Sequence, residues 1–581
     1  MSALAFRARQ ATAPRRARAA RRSAPPPRAA AEAPASSSPV LEVAAPAGTG
    51  AKRPGRVRVV VLGSGWGAVS LVKSLDASNA PVDLTVVSPR NYFMYTPLLP
   101  GAATGAVEGR SIVEPIRKLL AGKGAYYEAS ALKVDPERRV VTCRAADVES
   151  EAQKGLGGSC PWHVFDLEYD VLVTAVGSVP NTFGTPGVEE NAMFFKEIPD
   201  AAKFRREVTE RFERAALPGT PAQRAREMLT FVFVGAGPTG VELAAELHDM
   251  VKEDTTKLFP PYLTKFVSIK IIDLQEKILS TYDRSIAEYA TEHFRRENIG
   301  LLLNKLVKKV GDGVCVLEDR TTGEETLLPF GLCVWCTGIK LNPLCEQIIR
   351  ALPEGSQTNM RSLAVDKYLR VKGSEGSIFA LGDCSTMERP RALAEAERLF
   401  VEGDTSGDGR LQLDELELLL RKGAQDFPHL GEIAESAAAE YDAVASTSDG
   451  LDLDEFRTLL ETADSKLRAF PATAQVARQE GEYLAGLFNN LAGDKDPDAT
   501  LAGDLAAQQP FDYNHKGSLA YIGRDAAVAD LPGFAIVKGI AAGLIWKGFE
   551  TFSQFSLRNQ FLVAADMVRA KLFGRDVSRL N

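Results

Sequence analysis

The chain has 581 residues, about four times the usual size of one domain, which argues against a single compact domain. Hydrophobic residues make up 45% and charged residues 25% of the chain, a composition that excludes a wholly disordered chain, a collagen and a polytopic membrane protein. Seven cysteines exclude a disulfide scaffold and predict a reducing compartment, and a net charge of -7 argues against a nucleic-acid partner.

The first 50 residues form a basic leader. Eight arginines precede the first acidic residue, Glu32, in a stretch that is rich in Ala, Ser and Pro and lacks an apolar central run. This pattern is typical of an organellar transit peptide and not of a secretory signal. The alternative is a basic disordered tail. In both cases we expect residues 1–50 to lie outside the folded domains.

The first predicted nucleotide site follows an apolar strand at residues 56–62. Gly63 permits a tight turn, Gly65 lets a pyrophosphate approach the backbone, and Ala68 lets the following helix pack on the strand. The next predicted strand ends in Ser88, where an acidic residue usually stands. Because a serine hydroxyl can still bind a ribose, this loop is predicted to hold the adenosine half of FAD.

A second loop of the same design follows the apolar strand at residues 231–234. It contains Gly235, Gly237 and Gly240, and the strand after its helix ends in Asp273. A carboxylate at that position accepts hydrogen bonds from both ribose hydroxyls of NAD and repels the 2′-phosphate of NADP. Either loop alone could be a structural glycine turn. Two in series, each between a strand and a helix, favour two bound dinucleotides.

Three further strand ends complete the pattern. One predicted strand ends in small residues that include Gly177, another ends at Gly338, and a third ends in Gly382-Asp383. This order resembles the flavoproteins with two dinucleotide-binding domains, in which a Gly-Asp turn contacts the flavin ribityl chain and pyrophosphate. The resemblance implies FAD on the outer domain and NAD(P)H on the inserted one, with these four residues beside the cofactors.

Many members of that superfamily pass electrons to a cysteine pair just after the first glycine loop, but residues 91–100 contain no cysteine. The only C-x-x-C pattern, Cys333 and Cys336, lies in a predicted strand, where an offset of three puts the two side chains on opposite faces. A disulfide or a metal bound by this pair is therefore not expected. The electrons must leave for an acceptor that is not a protein dithiol.

Several motifs narrow the resemblance to one family. They are the segments at residues 89–93, 96–100, 180–184, 237–242, 471–479 and 573–580. These segments resemble those of type II NADH:quinone oxidoreductases, the alternative, non-proton-pumping NADH dehydrogenases of mitochondria, plastids and bacteria. The resemblance covers residues 56–390 and 470–581.

The resemblance implies a path for the electrons. NADH at the second glycine loop passes a hydride to FAD, whose site includes Arg90, Thr96 and Pro97, and a quinone then takes the electrons. It also implies that Glu242 lies near the contact between nicotinamide and flavin, where it tunes the flavin or relays protons. The alternative for Glu242 is a carboxylate that only favours its own helix N-terminus.

The same resemblance implies a quinone site on the helix that begins near residue 474. Gln475 and Gln479 lie at positions i and i+4, hence on one helix face. The resemblance implies that both amides bind the quinone head group. The alternative is a pair of polar residues on a solvated helix face.

The stretch at residues 557–572 is predicted to be an amphipathic helix. Its apolar stripe and the basic residues beside or beyond it are Leu557, Phe561, Met567, Val568 and Leu572, and Arg558, Arg569, Lys571 and Arg575. This pattern is typical of a helix that lies on anionic lipid and gives a quinone a route from the bilayer. A core or dimer helix is the alternative, and the resemblance implies that both roles hold in a homodimer. The sequence contains no uninterrupted apolar run of about 18 residues, so we expect no helix to span a bilayer.

Residues 404–415 fit the 12-residue loop of an EF-hand position by position. The predicted Ca²⁺ ligands are Asp404, Ser406, Asp408, the carbonyl of Arg410 and bidentate Glu415, with Gly409 at the sharp turn. Flanking helices are predicted at residues 391–400 and 413–420.

A second loop, before Glu455, is degenerate. Counting back from Glu455 places Val444 where an Asp is required and Asp449 where a Gly is required. One working Ca²⁺ site is therefore predicted, with the second loop as its structural mate or a weak, irregular site. Because the insertion separates the flavin motifs from the quinone motifs, Ca²⁺ is expected to modulate access of quinone or NADH.

Together these patterns predict an α/β fold with two Rossmann-like dinucleotide-binding domains, an inserted α-helical EF-hand module and a C-terminal membrane-surface helical segment. The predicted boundaries are a leader at 1–50, the FAD domain at 56–225 and 346–388, the NADH domain at 226–345, the EF-hand insertion at 389–465, the quinone-site helix with the return to the FAD domain at 466–525, and the C-terminal segment at 526–581.

The leading hypothesis is an FAD-dependent enzyme that passes electrons from NADH to ubiquinone or plastoquinone without proton pumping and is modulated by Ca²⁺. We expect a peripheral protein of the mitochondrial inner membrane. The leader also fits a plastid, where a thylakoid or plastoglobule surface is the alternative. Two other hypotheses are a soluble NAD(P)H reductase with a protein or oxygen acceptor, and a Ca²⁺-sensing adaptor on a flavoprotein scaffold. The apolar C-terminal helix disfavours the first, and the two intact glycine loops disfavour the second.

Overall fold

A computed structural model describes residues 53, 55–76, 78, 80–146, 164–387, 391–424, 427, 429–434, 436–447, 449–465, 467, 470–491, 509–533 and 536–577. The predicted leader at residues 1–50 and the last residues of the 573–580 motif lie outside the described residues.

The secondary structure runs in chain order through three parts of the chain. Residues 57–180 contain β1 (Val57–Leu62), α1 (Trp66–Ser74), β2 (Val82–Ser88), β3 (Tyr92–Met94), α2 (Leu99–Thr104), β4 (Val113–Pro115), α3 (Ile116–Leu120), β5 (Gly124–Asp135), β6 (Val140–Ala145), β7 (Val164–Glu168), β8 (Val171–Thr174) and β9 (Ser178–Pro180). Residues 188–365 contain α4 (Val188–Asn191), β10 (Met193–Phe194), α5 (Ile198–Ala215), α6 (Ala222–Met228), β11 (Thr230–Val234), α7 (Pro238–Met250), α8 (Thr256–Leu258), α9 (Pro261–Thr264), β12 (Ser268–Ile272), α10 (Arg284–Arg296), β13 (Gly300–Leu302), β14 (Lys305–Gly311), β15 (Val314–Asp319), β16 (Glu325–Pro329), β17 (Leu332–Trp335), β18 (Ile339–Leu341), α11 (Pro343–Ala351) and β19 (Leu363–Val365). Residues 378–573 contain β20 (Ile378–Ala380), β21 (Ser385–Met387), α12 (Ala396–Gly403), α13 (Leu413–Gly423), α14 (His429–Ala434), α15 (Ala437–Val444), α16 (Leu453–Ser465), α17 (Ala474–Asn489), β22 (Ser518–Gly523), β23 (Ala526–Asp530), β24 (Val537–Gly539), α18 (Ile540–Phe552) and α19 (Leu557–Phe573).

The first nucleotide-binding unit is built on a seven-stranded sheet of order β20-β8-β1-β2-β5-β6-β7. Strand β1 pairs in parallel with β2 and with β8, and Leu62 stands opposite both Val87 and Thr174. The carboxyl ends of these strands therefore meet at one edge of the sheet, where open α/β sheets bind their ligands. Strand β20 pairs with β8 although it comes some 200 residues later in the chain, so the second unit is inserted into the first.

The second unit is built on a five-stranded parallel sheet of order β10-β17-β11-β12-β13. Val234 at the end of β11 stands opposite Ile272 of β12 and Trp335 of β17. This repeats the arrangement of the first unit. Strands β9 and β18 pair in antiparallel fashion where the chain passes between the two units.

Helix α17 closes the first unit by crossing α1. A Cβ on Gly481 of α17 would lie 2.2 Å from the carbonyl oxygen of Gly67 on α1, so the two helices approach at backbone distance. Glycine is required at this crossing.

Residues 391–465 form a helical insertion with a hydrophobic core of its own, which includes Phe400, Leu416 and Phe456. The helix predicted at 391–400 is a 3₁₀ turn at Ala392–Glu395 followed by α12, and the helix predicted at 413–420 is α13, which continues to Gly423. The two loops of the insertion pair at one point, because Leu411 and Leu451 exchange two backbone hydrogen bonds of 2.9 and 2.8 Å.

The chain ends with a three-stranded sheet, β22-β23-β24, and the helices α18 and α19. None of the helices among the described residues is both long enough and apolar enough to cross a membrane.

Candidate functional site

The first glycine loop lies at the carboxyl end of β1. Gly63 has φ +117°, and a Cβ on it would lie 2.2 Å from the carbonyl oxygen of Ala175, so only glycine fits there. Helix α1 has Gly65 as its N-cap, and a Cβ on Gly65 would point into open space. The N–H groups of the first helical turn, where Ala68 is buried, therefore face an opening with partial positive charge. These residues fit a pyrophosphate, as FAD binding requires.

Ser88, the predicted ribose ligand, ends β2 beside this loop. Its hydroxyl donates a hydrogen bond of 2.9 Å to Ser64 Oγ and accepts the backbone N–H of Arg90 at 3.2 Å. The guanidinium of Arg90 forms an ion pair with Glu197. Sequence reasoning missed Ser64, which lies within the loop motif itself. It also missed Glu197, which no local pattern indicates because it is 107 residues from Arg90 in the chain.

Thr96 and Pro97 lie on the same side of the first loop. The indole N–H of Trp66, the first residue of α1, donates a hydrogen bond of 2.9 Å to Thr96 Oγ1. Pro97 follows in a single 3₁₀ turn at Thr96–Leu98. The structure thus joins the first glycine loop to the segment that sequence analysis assigned to FAD.

The Gly-Asp turn meets the loop between β8 and β9, which contains Gly177. Asp383 Oδ2 accepts the hydroxyl of Ser178 at 3.1 Å, and Lys196 Nζ donates to Ser178 Oγ at 3.0 Å. Burial lowers the pKa of Lys196, although Asp383 opposes this shift. Lys196 is a cationic residue of the site that sequence reasoning missed, because it belongs to neither glycine motif.

Gly382 connects the turn to the predicted quinone helix. Its backbone N–H donates a hydrogen bond of 2.6 Å to Glu480 on α17. Glu480 is buried, and burial raises the pKa of its carboxyl to about 8, although the Gly382 N–H opposes the shift. A buried carboxyl therefore links the flavin turn to α17.

The second glycine loop repeats the first at the carboxyl end of β11. Gly235 and Gly240 pack against each other, and Gly237, the N-cap of α7, faces open space. Asp273 follows β12, and its carboxylate accepts the backbone N–H of Ala236 in this loop at 2.6 Å. The carboxylate thus lies at the rim of the loop, where an NAD ribose would bind.

Gly338 follows β17 as Gly177 follows β8. Its carbonyl oxygen accepts the backbone N–H of Asn181 at 3.1 Å. Gly177 and Gly338 therefore occupy equivalent positions in the two units, next to the paired strands β9 and β18. Cys333 and Cys336 are separate free thiols.

Glu242 lies in the second turn of α7 and reaches out of its own helix. Its Oε1 accepts the backbone N–H of Tyr521 on β22 at 3.2 Å. Burial raises its pKa well above the usual value, the Tyr521 N–H opposes the shift, and Glu550 and Glu246 add to it. Because its observed partner belongs to the C-terminal sheet, Glu242 does not serve only its own helix N-terminus.

Gln475 and Gln479 face the same side of α17, as predicted, but both amides already have protein partners. Gln475 Oε1 accepts the hydroxyl of Tyr513 at 2.9 Å and the backbone N–H of Lys516 at 2.7 Å. Gln479 exchanges two hydrogen bonds, of 2.9 and 3.0 Å, with the backbone of Asn514. The alternative of a solvated pair is therefore wrong, since the two side chains hold the loop at residues 513–517.

The insertion loop at 404–415 is closed by its two terminal carboxylates. Asp404 accepts the backbone N–H groups of Gly407, Asp408 and Gly409 at 2.7 to 3.2 Å. These hydrogen bonds lower the pKa of Asp404 despite its desolvation. Across the described residues, no three His, Cys, Asp or Glu side chains are arranged closely enough to hold a metal ion.

The other end of this loop is held by Glu415. Its carboxylate accepts the backbone N–H of Ser406 at 2.8 Å and of Gln412 at 3.2 Å. The guanidinium of Arg410 donates to the carbonyl of Gly450 at 2.7 Å and so connects the first loop to the second.

Helices α18 and α19 present a joint apolar surface. Its most exposed members are Ile540, Leu544, Phe549, Phe552, Leu557, Phe561, Val568, Leu572 and Phe573, which are 52 to 84% exposed. The sequence predicted the apolar stripe for residues 557–572 alone and not the contribution of α18.

Two details of the predicted C-terminal helix are wrong. Met567 is not in the exposed stripe, since it packs against the main core and its sulfur accepts the hydroxyl of Thr551 at 3.9 Å. Arg575 does not face lipid, since its side chain is 7% exposed and forms ion pairs with Glu246, Glu253 and Asp254. Periodicity alone does not tell which face of a helix the rest of the protein covers.

Comparison with known proteins accounts for this arrangement. The family model for pyridine nucleotide-disulphide oxidoreductases matches residues 57–398, and the model for the NDH2 C-terminal domain matches residues 515–576. The external alternative NAD(P)H-ubiquinone oxidoreductase B1, mitochondrial, of Solanum tuberosum is 37% identical over 536 residues, which cover 90% of each chain. The chain belongs to the type II NADH:ubiquinone oxidoreductase family.

Other members of the type II family agree with this assignment. The external NADH-ubiquinone oxidoreductase 2, mitochondrial, of Saccharomyces cerevisiae is 33% identical over 544 residues, covering 90% of this chain and 82% of the relative. A structure of NDH2 from Plasmodium falciparum, in complex with NADH, has a TM-score of 0.75 at 29% identity and covers 90% of this chain and all of its own. The family predicted from the sequence motifs, and the α/β fold with two nucleotide-binding units, are confirmed.

Proposed function

We propose that this protein oxidises NADH and passes the electrons through FAD to a membrane quinone without pumping protons. The observation that carries the proposal is the pair of glycine-capped helices, α1 and α7, each open at the carboxyl ends of the parallel strands in its own sheet. Two such sites in one member of the type II family fit one dinucleotide cofactor and one dinucleotide substrate. The names of the relatives specify NAD(P)H and ubiquinone as the substrates.

The first loop and its neighbours would hold FAD. The turn of α1 would bind the pyrophosphate, and Ser88 with Arg90 would bind the adenosine ribose. Asp383, positioned by Ser178, would bind the ribityl chain. The chemistry that FAD supplies when bound is two-electron transfer, because a flavin can accept a hydride from NADH and pass two electrons to a quinone.

The second loop would hold NADH, with Asp273 as the ribose ligand. Glu242 stands between this loop and the C-terminal sheet, and burial raises its pKa well above the usual value. We assign it the role of tuning or relaying protons beside the nicotinamide. Gln475 and Gln479 would form one wall of the quinone site, where they hold the loop at residues 513–517 in place.

The experiment that tests the proposal uses the purified full-length protein. We expect a yellow protein that releases FAD on denaturation and oxidises NADH with a short-chain ubiquinone analogue and with ferricyanide. A protein without flavin, or one that reduces ferricyanide but not the quinone, would contradict the proposed function. Proteoliposomes with a pH-sensitive dye inside would show no quinone-dependent proton uptake into the lumen beyond that of a protein-free control.

We further propose that Ca²⁺ binds the loop at residues 404–415 and modulates this activity. The loop has carboxylates at its first, fifth and twelfth positions and is paired with a second loop through Leu411 and Leu451, as EF-hand loops are. Asp404, Ser406, Asp408, the Arg410 carbonyl and Glu415 are the proposed ligands. Calcium would replace the loop's own N–H groups as the partner of Glu415.

We propose that the apolar surface of α18 and α19 rests on the membrane. The surface carries four phenylalanines that are more than half exposed. The names of the relatives specify mitochondria, so we place the protein at the mitochondrial inner membrane, with a plastid membrane as the alternative. The same two helices are the proposed contact of a homodimer, and light scattering in detergent would detect it.

A further inference from the structure

Helix α18 carries one acidic residue on its inner face. Its outer face is apolar and exposed, whereas Ala542, Gly543, Trp546 and Glu550 are buried. Glu550 is 4% exposed. A carboxyl in such a place is unfavourable for folding unless it is protonated or paired, so its presence calls for an explanation.

Protein contacts leave half of this carboxyl unsatisfied. Among the described residues, none offers a hydrogen bond to Glu550 Oε2 and none forms an ion pair with the carboxylate. The hydroxyl of Tyr95 lies beside the carboxyl and interacts with it. Burial raises the pKa of Glu550 to about 7, against the opposing effect of the Tyr95 hydroxyl. The group is therefore a carboxylic acid with a free oxygen and a proton that it can lose near neutral pH.

On one side, Glu550 adjoins the segment proposed to hold FAD. Tyr95 directly precedes Thr96, which binds the Trp66 indole of the first glycine loop. The rings of Trp66 and Tyr95 lie 5.2 Å apart, and those of Trp66 and Phe555 lie 5.5 Å apart. An aromatic cluster thus connects the first loop to the end of α18.

On the other side, Glu550 adjoins Glu242. Trp546, one turn before Glu550, stacks on Tyr521 at 4.9 Å, and the backbone N–H of Tyr521 donates to Glu242. The negative charge of Glu550 also raises the pKa of Glu242 and of Tyr282. The positive charge of Arg478, on α17, lowers the pKa of Tyr95.

We propose that Glu550 is a catalytic residue that donates a hydrogen bond to a carbonyl oxygen of the quinone and transfers to it the second proton of its reduction. The proposal rests on the proposed function. NADH supplies both electrons and one proton, as hydride, whereas conversion of the quinone to the quinol needs two electrons and two protons. The O–H bond of Glu550 breaks, an O–H bond of the quinol forms, and water returns a proton to the carboxylate.

The position of Glu550 explains why this side chain, and not an acid on the surface, would donate the proton to the quinone. It lies beneath the outer face of α18, which is the face proposed to rest on lipid, and its Oε2 accepts no hydrogen bond from the described residues. A quinone that enters from the membrane would meet the carboxyl before the aromatic cluster at Trp66.

The test compares Glu550→Gln with the wild type as full-length holoprotein. Glutamine keeps a hydrogen-bond donor but has no proton to transfer, so kcat with a short-chain ubiquinone analogue should fall about 10-fold or more while KM for the quinone stays within about twofold. Ferricyanide takes up electrons without protons, and its reduction should be unchanged. The wild-type kcat with quinone should fall as pH rises through about 7, and this limb should be absent in Glu550→Gln.

Asp566→Asn is the matched control. Asp566 is a buried carboxylate on the neighbouring helix α19, but the backbone N–H of Glu108 and the hydroxyl of Ser111 satisfy it at 2.9 and 2.6 Å. In this variant, kcat with quinone should still fall as pH rises through about 7. The flavin content would establish folding for both variants. Glu550→Gln with unchanged kcat, or with only a raised KM, would overturn the inference. A wild type that reduces ferricyanide but not quinone would instead overturn the proposed function.

Discussion

At the scale of single residues, the carboxylate of Asp273 lies at the rim of the second glycine loop, where it accepts the Ala236 N–H at 2.6 Å. Asp273→Asn keeps the size of the side chain and removes the charge that would repel a 2′-phosphate. We expect kcat/KM for NADPH relative to NADH to rise by about 10-fold or more, because one close charge repulsion is worth on the order of 1.4 kcal/mol or more. Steady-state kinetics with both nucleotides measure this ratio.

Glu276→Gln is the control for nucleotide choice. Glu276 is an exposed carboxylate in the same loop after β12, so its substitution changes the net charge equally. It should leave the ratio within about twofold. An equal change in both variants would mean that general electrostatics and not the position of Asp273 selects the nucleotide.

Glu480 makes the stability of the fold depend on pH. Its pKa is raised by burial to about 8 in the folded protein, and it returns to about 4.3 in the unfolded chain. The folded state therefore binds one more proton between these values, and its stability falls as pH rises from about 4.3 to 8. Glu480→Gln removes this dependence and keeps an acceptor for the Gly382 N–H.

Thermal unfolding at a series of pH values tests this. The midpoint of Glu480→Gln should exceed that of the wild type by about 2 °C or more at pH near 8, and the difference should vanish toward pH near 4. Glu288→Gln, an exposed substitution on α10, should show no such trend. A wild type that is least stable in acid relative to Glu480→Gln would contradict the direction of the shift.

At the scale of elements, the two loops of the helical insertion have the same internal hydrogen bonds. Glu415 accepts the N–H groups of Ser406 and Gln412, and Glu455 accepts those of Ser446 and Asp452 at the same spacings. The loops differ at the first position, which is Asp404 in one and Val444 in the other. The two glutamates are thus a matched pair, of which only Glu415 lies in the loop proposed to bind Ca²⁺.

This pair tests the calcium proposal. Glu415→Gln should weaken Ca²⁺ binding to the full-length protein by about 10-fold or more and abolish the effect of chelator on quinone reduction. Glu455→Gln should retain both. Isothermal titration measures the binding, and rates at limiting and saturating quinone measure the effect. Equal losses in the two variants would show that the loops act only as a structural unit.

The sequence predicted well those features whose determinants are contiguous. A strand, a glycine turn and a helix lie within about 20 residues, so Gly63, Gly235 and the ends of their strands were found. The loop from Asp404 to Glu415 is likewise contiguous, and its role as a Ca²⁺ site stays a prediction. Residues whose role depends on distant partners were missed, such as Glu480 at the Gly382 N–H and Glu550 beside Tyr95.

Side chains that were wrongly predicted to lie on the exposed face of the C-terminal helix have another cause. At about 100° per residue, Met567 lies about 80° from Leu557 and about 120° from Phe561, so the helical period itself argues against its place in the stripe. The sequence predicts a surface cation at Arg575. In the structure, Arg575 is surrounded by three acidic residues, which belong to α7 and to the π-helical turn that follows α7. Tertiary contacts of this kind leave no local pattern.

At the scale of the whole molecule, the most exposed aromatic side chains gather on the last two helices. Phe552 and Phe561 are 76% and 74% exposed. Their replacement by serine in a double variant should weaken binding to vesicles that contain anionic lipid by about 10-fold or more, because each phenylalanine contributes about 1.5–3 kcal/mol on full burial. Co-sedimentation with vesicles measures the binding.

Leu327→Ser is the control for membrane binding. Leu327 is 71% exposed on β16, in the second nucleotide-binding unit and away from the proposed membrane surface. This variant should bind vesicles as the wild type does, and NADH:ferricyanide activity should persist in both. Undiminished binding of the double phenylalanine variant would show that α18 and α19 do not form the lipid contact.

The crossing of α1 and α17 at Gly67 and Gly481 has a consequence for biosynthesis. The two helices complete one nucleotide-binding unit, but the ribosome makes α1 near the start of the chain and α17 only after residue 474. During most of translation, α1 therefore lacks the surface on which it packs, and the first unit stays open. We expect the nascent chain to acquire its flavin only after synthesis is nearly complete, so the cofactor-free chain is the form that chaperones encounter.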